Sequence, residues 1–178
     1  TAAARRIKLD ALLEPDDALA LLQHLTDSAG VPAEVLHSVW NYLGGHPLAL
    51  TWAGSQLADA TQPAAHFVRD LAAQPFAKLS EPGGDPEHTL RWMFDRSVRL
   101  MRASTCAVLA AAARIAEPFD ASLARVAGGD EADLQRLVQL AFLRVVGSGW
   151  HYAHALAAQY ARQLPLPDGL LAQLGHWA

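Results

Sequence analysis

The run Gly44-Gly45-His46-Pro47-Leu48-Ala49-Leu50 obliges the chain to end one helix, turn within a few residues and start another. Before it, Val35, Leu36, Val39, Trp40 and Leu43 recur at three- and four-residue intervals, the stripe of a helix packed on one face. Gly44 stands where a helix-ending residue with positive φ is wanted, and Gly45 extends the turn with no side chain to clash. Pro47 lacks a backbone N–H and has a fixed φ, which suits the first turn of the next helix, with apolar Leu48, Leu50, Trp52, Ala53 and Leu57. Two readings follow. The stretch is a corner between two packed helices, or its glycine-flanked proline offers a flat apolar face to a ligand.

One such corner does not account for 178 residues that are 52% hydrophobic, enough for one good core or two small ones. Two are expected. Up to His88 the chain carries five Lys and Arg against eleven Asp and Glu, whereas from Thr89 to Leu164 the numbers are nine and six. Neither part is basic enough for charge alone to imply nucleic acid. Cys106 is the only cysteine, which rules out an internal disulfide and a cysteine-based zinc site and points to a reducing, cytoplasmic setting. The longest apolar run, around Cys106 to Ala113, is far short of the roughly 20 residues of a membrane span. The chain starts Thr1-Ala2-Ala3-Ala4 without methionine and stops at Ala178 inside a helical pattern, so a piece of a longer protein is expected.

Periodicity orders the rest. Leu19, Leu21, Leu22 and Leu25 mark a short helix after Glu14-Pro15-Asp16, broken at Gly30-Val31-Pro32. The Val35 and Leu48 helices follow, then a fourth from about Pro63 through Leu71, and four short helices with short connections predict a small bundle over residues 1–83. Glu81-Pro82-Gly83-Gly84-Asp85-Pro86 is the strongest punctuation and places a domain boundary there. Beyond it, Leu90, Met93, Phe94, Val98 and Met101 mark a helix, and Ser104 is expected to cap the next, which carries Val108, Leu109 and Ile115 and ends before Pro118. Asp120 to Val126 reads as a short helix closed by Gly128-Gly129, and Asp130 as the cap of another with Leu134, Leu137, Val138 and Leu140, extending to Arg144. Phe142-Leu143-Arg144-Val145-Val146, Gly147-Ser148-Gly149 and Trp150-His151-Tyr152 predict a hairpin, with a last helix from about Ala155 to Gln163. That order, over residues 84–164, is the order of a winged helix-turn-helix domain. Residues 165–178, with Leu170, Leu171 and Leu174, predict a linker or the start of a further helical segment. The fold class expected is mainly α: a four-helix bundle followed by a winged helix with a β-hairpin.

Taken together, the bundle with its G-x-P-L-A-L turn and the winged helix closing on a histidine and a Tyr-Ala pair resemble the C-terminal part of the nucleotide-binding module of STAND-class signalling ATPases. These are the NB-ARC type of apoptotic and plant immune receptors and of bacterial antibiotic regulators similar to AfsR. The resemblance covers about Ile7 to Gln163, nearly the whole chain. Gly45-His46-Pro47 matches the family's G-x-P motif, whose proline packs on the adenine base while the neighbouring backbone, here Gly45 and Leu48, helps fix the nucleotide. His154 matches the histidine of the family's M-H-D motif, which reaches the β-phosphate of ADP. Here the triplet is Ala153-His154-Ala155, so the family's aspartate is absent.

The resemblance implies ADP or ATP as ligand, with Mg contributed by an upstream P-loop domain, downstream helical repeats, and self-association on activation. The chain itself is not expected to be an enzyme, because its only lysines, Lys8 and Lys78, follow Ile7 and Ala77 rather than the glycine of a phosphate-binding loop. No catalytic triad or carboxylate pair has a defensible spacing. A metal site is not expected either, since His151 and His154 have no third ligand nearby. Two rival functions remain. A winged helix is also a DNA-binding module, but Glu131 and Asp133 at the start of the would-be recognition helix would face phosphates, which disfavours DNA. A helical protein-interaction adaptor is the other. Arg91, Arg96, Arg99 and Arg102 form the one basic cluster, expected as a solvated face or as partners of the acidic first domain.

Overall fold

Pro15, at a position where its missing N–H costs nothing, starts helix α1 (Pro15–Thr26), with Asp16 and Asp17 favourably placed against the positive end of the helix dipole. The computed structural model to which this helix belongs describes residues 12–59, 63–74, 79, 84–147 and 150–175. The protein is mainly helical and divides into two compact units, Thr1–Leu90 and Arg91–Ala178. Residues 80–83 of the Pro/Gly-rich stretch, the hairpin-tip residues Ser148 and Gly149, and the lysines Lys8 and Lys78 lie outside the described residues.

In the first unit α1 is followed by a short 3-10 turn (Asp27–Ala29) and by α2 (Ala33–Leu43), α3 (Pro47–Leu57) and α4 (Ala64–Ala72). Leu36, Val39 and Leu43 of α2 are buried as the spacing predicts; in α1 the buried residues are Ala18, Leu22 and Thr26 while Leu19, Leu21 and Leu25 are only half-buried, and α4 buries Phe67 and Leu71. Helix α3 is buried on nearly every side, with Leu50, Trp52, Ala53 and Leu57 all within the core. Gly54 of α3 makes room for α1, since a Cβ there would come within 2.7 Å of the Leu25 side chain. After α4, the Leu79 N–H donates to the Tyr42 carbonyl at 2.6 Å and ties the chain back to the end of α2.

The second unit takes up α5 (Pro86–Leu100) beyond Leu90 and continues with α6 (Ala103–Ala112), α7 (Ala121–Val126), α8 (Glu131–Gln139), β1 (Leu143–Val146), β2 (Trp150–Ala153), α9 (Ala155–Ala161) and α10 (Leu170–Leu174). Phe94 lies in its core, with ring centroids 5.2 Å from Phe142, tilted, and 5.5 Å from Tyr160, edge-on, the latter a geometry that aromatic quadrupoles favour. The strands pair antiparallel with Leu143 opposite Ala153, Arg144 opposite Tyr152, Val145 opposite His151 and Val146 opposite Trp150. On the other edge of β2, Phe119 and His151 exchange both backbone hydrogen bonds, at 2.9 and 2.7 Å. Nothing in the sequence marked Phe119 as a pairing residue, because one bridging residue has no periodicity.

Two local expectations are corrected. Ser104 does not cap α6: the N-cap is Arg102, and Ser104 lies within the helix with its hydroxyl donating to Asp133 at 3.2 Å. Helix α8 stops at Gln139 rather than continuing to Arg144. Ala141 adopts φ 57°, its N–H donates to Val138 O and the Phe142 N–H to Leu137 O, the two bonds that close a helix end around a left-handed residue. That position normally takes glycine, so an alanine concealed the stop.

Among the described residues no helix is long and apolar enough to cross a membrane.

Candidate functional site

The G-x-P corner is built from three separate requirements. Gly44 has φ 56° and ψ −146°, a conformation open essentially to glycine alone, and its N–H donates to Trp40 O at 2.7 Å to close α2. Gly45 lies against the backbone of Leu13, whose N–H donates to Gly45 O at 2.8 Å. His46, the variable residue of the motif, is the N-cap of α3, and its imidazole Nδ1 accepts the Ala49 N–H at 3.2 Å. Pro47 then opens the helix, its carbonyl accepting the Thr51 hydroxyl at 2.9 Å. The rings of His46 and Pro47 and the side chain of Leu48 are each half-buried. The corner therefore offers a rigid, partly exposed apolar edge, and each of its residues also serves the fold.

The capping role of His46 requires an unprotonated Nδ1. Burial pushes the imidazole below its ordinary value, only partly offset by a hydrogen bond to its own backbone. A base whose folded value is depressed loses stabilising power on the acid side. Its contribution is complete above the unfolded value of 6.5 and declines as the pH falls from there through the lower folded value. His46→Ala is accordingly expected to cost the first unit about 1 kcal/mol at pH 8, the usual worth of an N-cap, and less at pH 5. Urea titrations at the two pH values measure it; an equal cost at both would remove the cap from consideration.

His154 follows β2 directly and is the N-cap of α9. Its backbone is fixed at both ends, the N–H donating to Phe142 O at 2.9 Å and the carbonyl accepting from Ala158 N at 2.8 Å, while its side chain takes no part in capping. The imidazole is half-buried, and burial first, then the positive charge of Arg144, hold it below its ordinary value. The ring is thus neutral at pH 7 and becomes a stronger donor only when an arriving anion draws a proton onto it. Ala155, where the resembled family has aspartate, is exposed at the first helical position. His151 is a different case. It is 7% exposed, stacks on Phe119 at 6.0 Å and, by strand alternation, faces the opposite side of the sheet from His154. Among the described residues no group of three or more His, Cys, Asp or Glu side chains is placed to hold a metal ion.

The acidic start of α8 differs from its sequence reading. Asp133 does not face outward to meet phosphates: it is 1% exposed. Its Oδ1 accepts from Thr105 Oγ1 at 2.5 Å, Arg102 Nη2 at 2.8 Å and Ser104 Oγ at 3.2 Å, and its Oδ2 accepts the Asp130 N–H at 3.0 Å. Asp130 Oδ1 in turn accepts the Asp133 N–H at 3.0 Å, completing a reciprocal cap. The Asp-x-x-Asp spacing carried that signal. Cys106 lies beside this cluster, and burial, then the Asp133 charge, push its thiol up, which leaves it protonated and unreactive at neutral pH.

The basic cluster is a solvated face only in part, at Arg99 and Arg102, which are exposed. Arg96 is buried, and Arg91 bonds Asp95 at 3.1 Å and Gln163 at 2.7 Å while lying 5.3 Å from the Tyr160 ring centroid. Arg102 pairs with Asp133, so two of the four arginines are engaged within the second unit itself.

No protein-family model and no curated protein sequence matches the chain.

Proposed function

We propose that this chain is the regulatory part of a nucleotide-controlled signalling switch of the STAND type, working in the reducing cytoplasm. In this reading α1 to α4 form the lid-like bundle and α5 to α9 a winged-helix sensor. An upstream P-loop domain holds ADP with Mg; Pro47 contacts the base, the backbone at Gly45 and Leu48 helps fix the nucleotide, and His154 reaches the terminal phosphate. Exchange for ATP changes the phosphate that His154 meets, relieves autoinhibition and lets the longer protein self-associate, with helical repeats downstream as further partners. The chain carries out no chemistry itself.

The observation that supports this most is the state of His154, a half-buried, neutral imidazole whose backbone is fixed by two hydrogen bonds and whose side chain is not used for capping. A group of this kind is poised to gain a proton and a charge-assisted bond when a phosphate arrives. The order α6, bridging Phe119, α7, α8, β1 and β2 supports the winged-helix reading. In a protein that includes the P-loop domain, His154→Ala is expected to weaken ADP retention roughly tenfold, the worth of one charge-assisted hydrogen bond. Equilibrium dialysis with labelled ADP measures this, and an unchanged affinity would refute the assignment.

DNA binding is the second reading, and the burial of Asp133 favours it by removing one carboxylate from the exposed start of α8. Glu131 remains exposed there, and β1 presents only one cation, Arg144, beside Val145 and Val146. A band-shift with random duplex at low salt separates the two readings, because even sequence-independent binders retain DNA under those conditions.

A further inference from the structure

We infer that Arg144 and His154 form one two-cation subsite for the terminal phosphate of a nucleoside diphosphate, with Arg144 supplying a permanent charge and His154 an inducible one. The inference deepens the switch proposal and rests on its assignment of His154 to a phosphate. The hairpin register places the pair. Arg144 stands opposite Tyr152, and His154, the residue after the end of β2, is still extended at φ −61° and ψ 132° and continues the pairing with its N–H donating to Phe142 O at 2.9 Å. Side chains two apart on a strand share a face, so Arg144 and His154 are diagonal neighbours on one side of the hairpin, a separation that a long side chain spans.

Arg144 is exposed and makes no ion pair among the described residues, unlike Arg91 and Arg102 of the same unit. Its charge already reaches the imidazole, since it is the second cause, after burial, of the lowered His154 value. Beside a guanidinium that no carboxylate neutralises, protonation of the imidazole is disfavoured until an anion sits between them. A phosphate oxygen offsets that charge, takes N–H bonds from the guanidinium and draws a proton onto the imidazole. Arg144 would then discriminate by anion charge.

Inorganic pyrophosphate is the probe, and the His154 imidazole resonances of the full 178-residue chain, followed by NMR across pH 5 to 8, are the readout. Without anion, Arg144→Gln should raise the His154 titration midpoint, since a repelling charge is gone. With pyrophosphate, the wild-type midpoint should rise, and Arg144→Gln should weaken pyrophosphate binding about five- to tenfold while Arg144→Lys retains most of it. A His154 resonance that moves equally in wild type and Arg144→Gln would overturn the subsite and leave the His154 assignment standing. A resonance unmoved by pyrophosphate and by ADP at millimolar concentration would overturn both. A short random duplex that moves it at lower concentration than pyrophosphate, through the same arginine, would assign the pair to DNA phosphates and overturn the nucleotide subsite.

Discussion

Gly45→Ala is expected to destabilise the first unit by about 3 kcal/mol, in the range of substitutions that force backbone out of a close contact. A Cβ on residue 45 would sit 2.1 Å from Leu13 O and 2.6 Å from Leu13 N. Both are main-chain atoms, so no rotamer change relieves the overlap, and the segment before α1 must move away. Moving it also lengthens or breaks the 2.8 Å hydrogen bond between Leu13 N–H and Gly45 O. A loss of this size corresponds to a fall in thermal midpoint of about 10 °C or more for a unit of this length. Thermal melts of Gly45→Ala measure it, and a midpoint within 2 °C of wild type would contradict the packing described. The result also bears on function. Loss of nucleotide binding in a Gly45 variant would report a displaced corner, so Pro47 is the position at which contact with a base can be tested separately from the fold.

Asp133→Ala should cost the second unit a similar amount, about 3 kcal/mol, by a different mechanism. The carboxylate joins the first turn of α6 to the first turn of α8 by accepting from Thr105, Arg102, Ser104 and the Asp130 N–H. Its removal strands the Thr105 hydroxyl, which is 2% exposed, and abolishes half of the reciprocal cap. Arg102 is largely exposed and regains water, which keeps the loss below that of breaking a fully buried ion pair. The substitution has a pH signature as well. Burial pushes the Asp133 carboxyl up, but the hydrogen bonds and the Arg102 charge outweigh it, and the net displacement is below the ordinary 3.8. A carboxyl displaced in this direction stabilises fully above its unfolded value and loses that contribution as the pH falls through the folded one. Wild type should therefore lose stability below about pH 4 more steeply than Asp133→Ala in chemical denaturation followed from pH 7 to pH 2. Parallel curves would exclude the cluster as the source.

Much of the helical architecture was legible because it rests on short-range physics. The stripe from Val35 to Leu43 names the buried face of α2, Pro47 marks the first residue of α3, and Asp130 caps α8 as its side chain predicts. What escaped were contacts made by ordinary residues in unusual circumstances. His46 caps α3 through a ring nitrogen, a role usually held by serine or aspartate; Ala141 ends α8 in a conformation usually held by glycine; Phe119 pairs with β2 through a single residue. Composition and spacing cannot signal these, because the residue type is not the preferred one and the stabilisation comes from the partner. Asp133 was misjudged for the related reason that its charge argued for exposure, while three donors on α6 and its N-cap, 28 to 31 positions away, make burial tolerable.

The amino-acid order by itself determined that these helices exist and in what order, most of their apolar residues, and that a glycine pair and a proline must turn the chain at residues 44–47, since each depends on one residue's backbone freedom or on a local period. Only the tertiary structure decided why Gly45 has no room for a methyl group and why the Asp133 carboxylate is buried. Those properties belong to pairs of residues distant in sequence, and their energies exist only once the chain has brought the partners together.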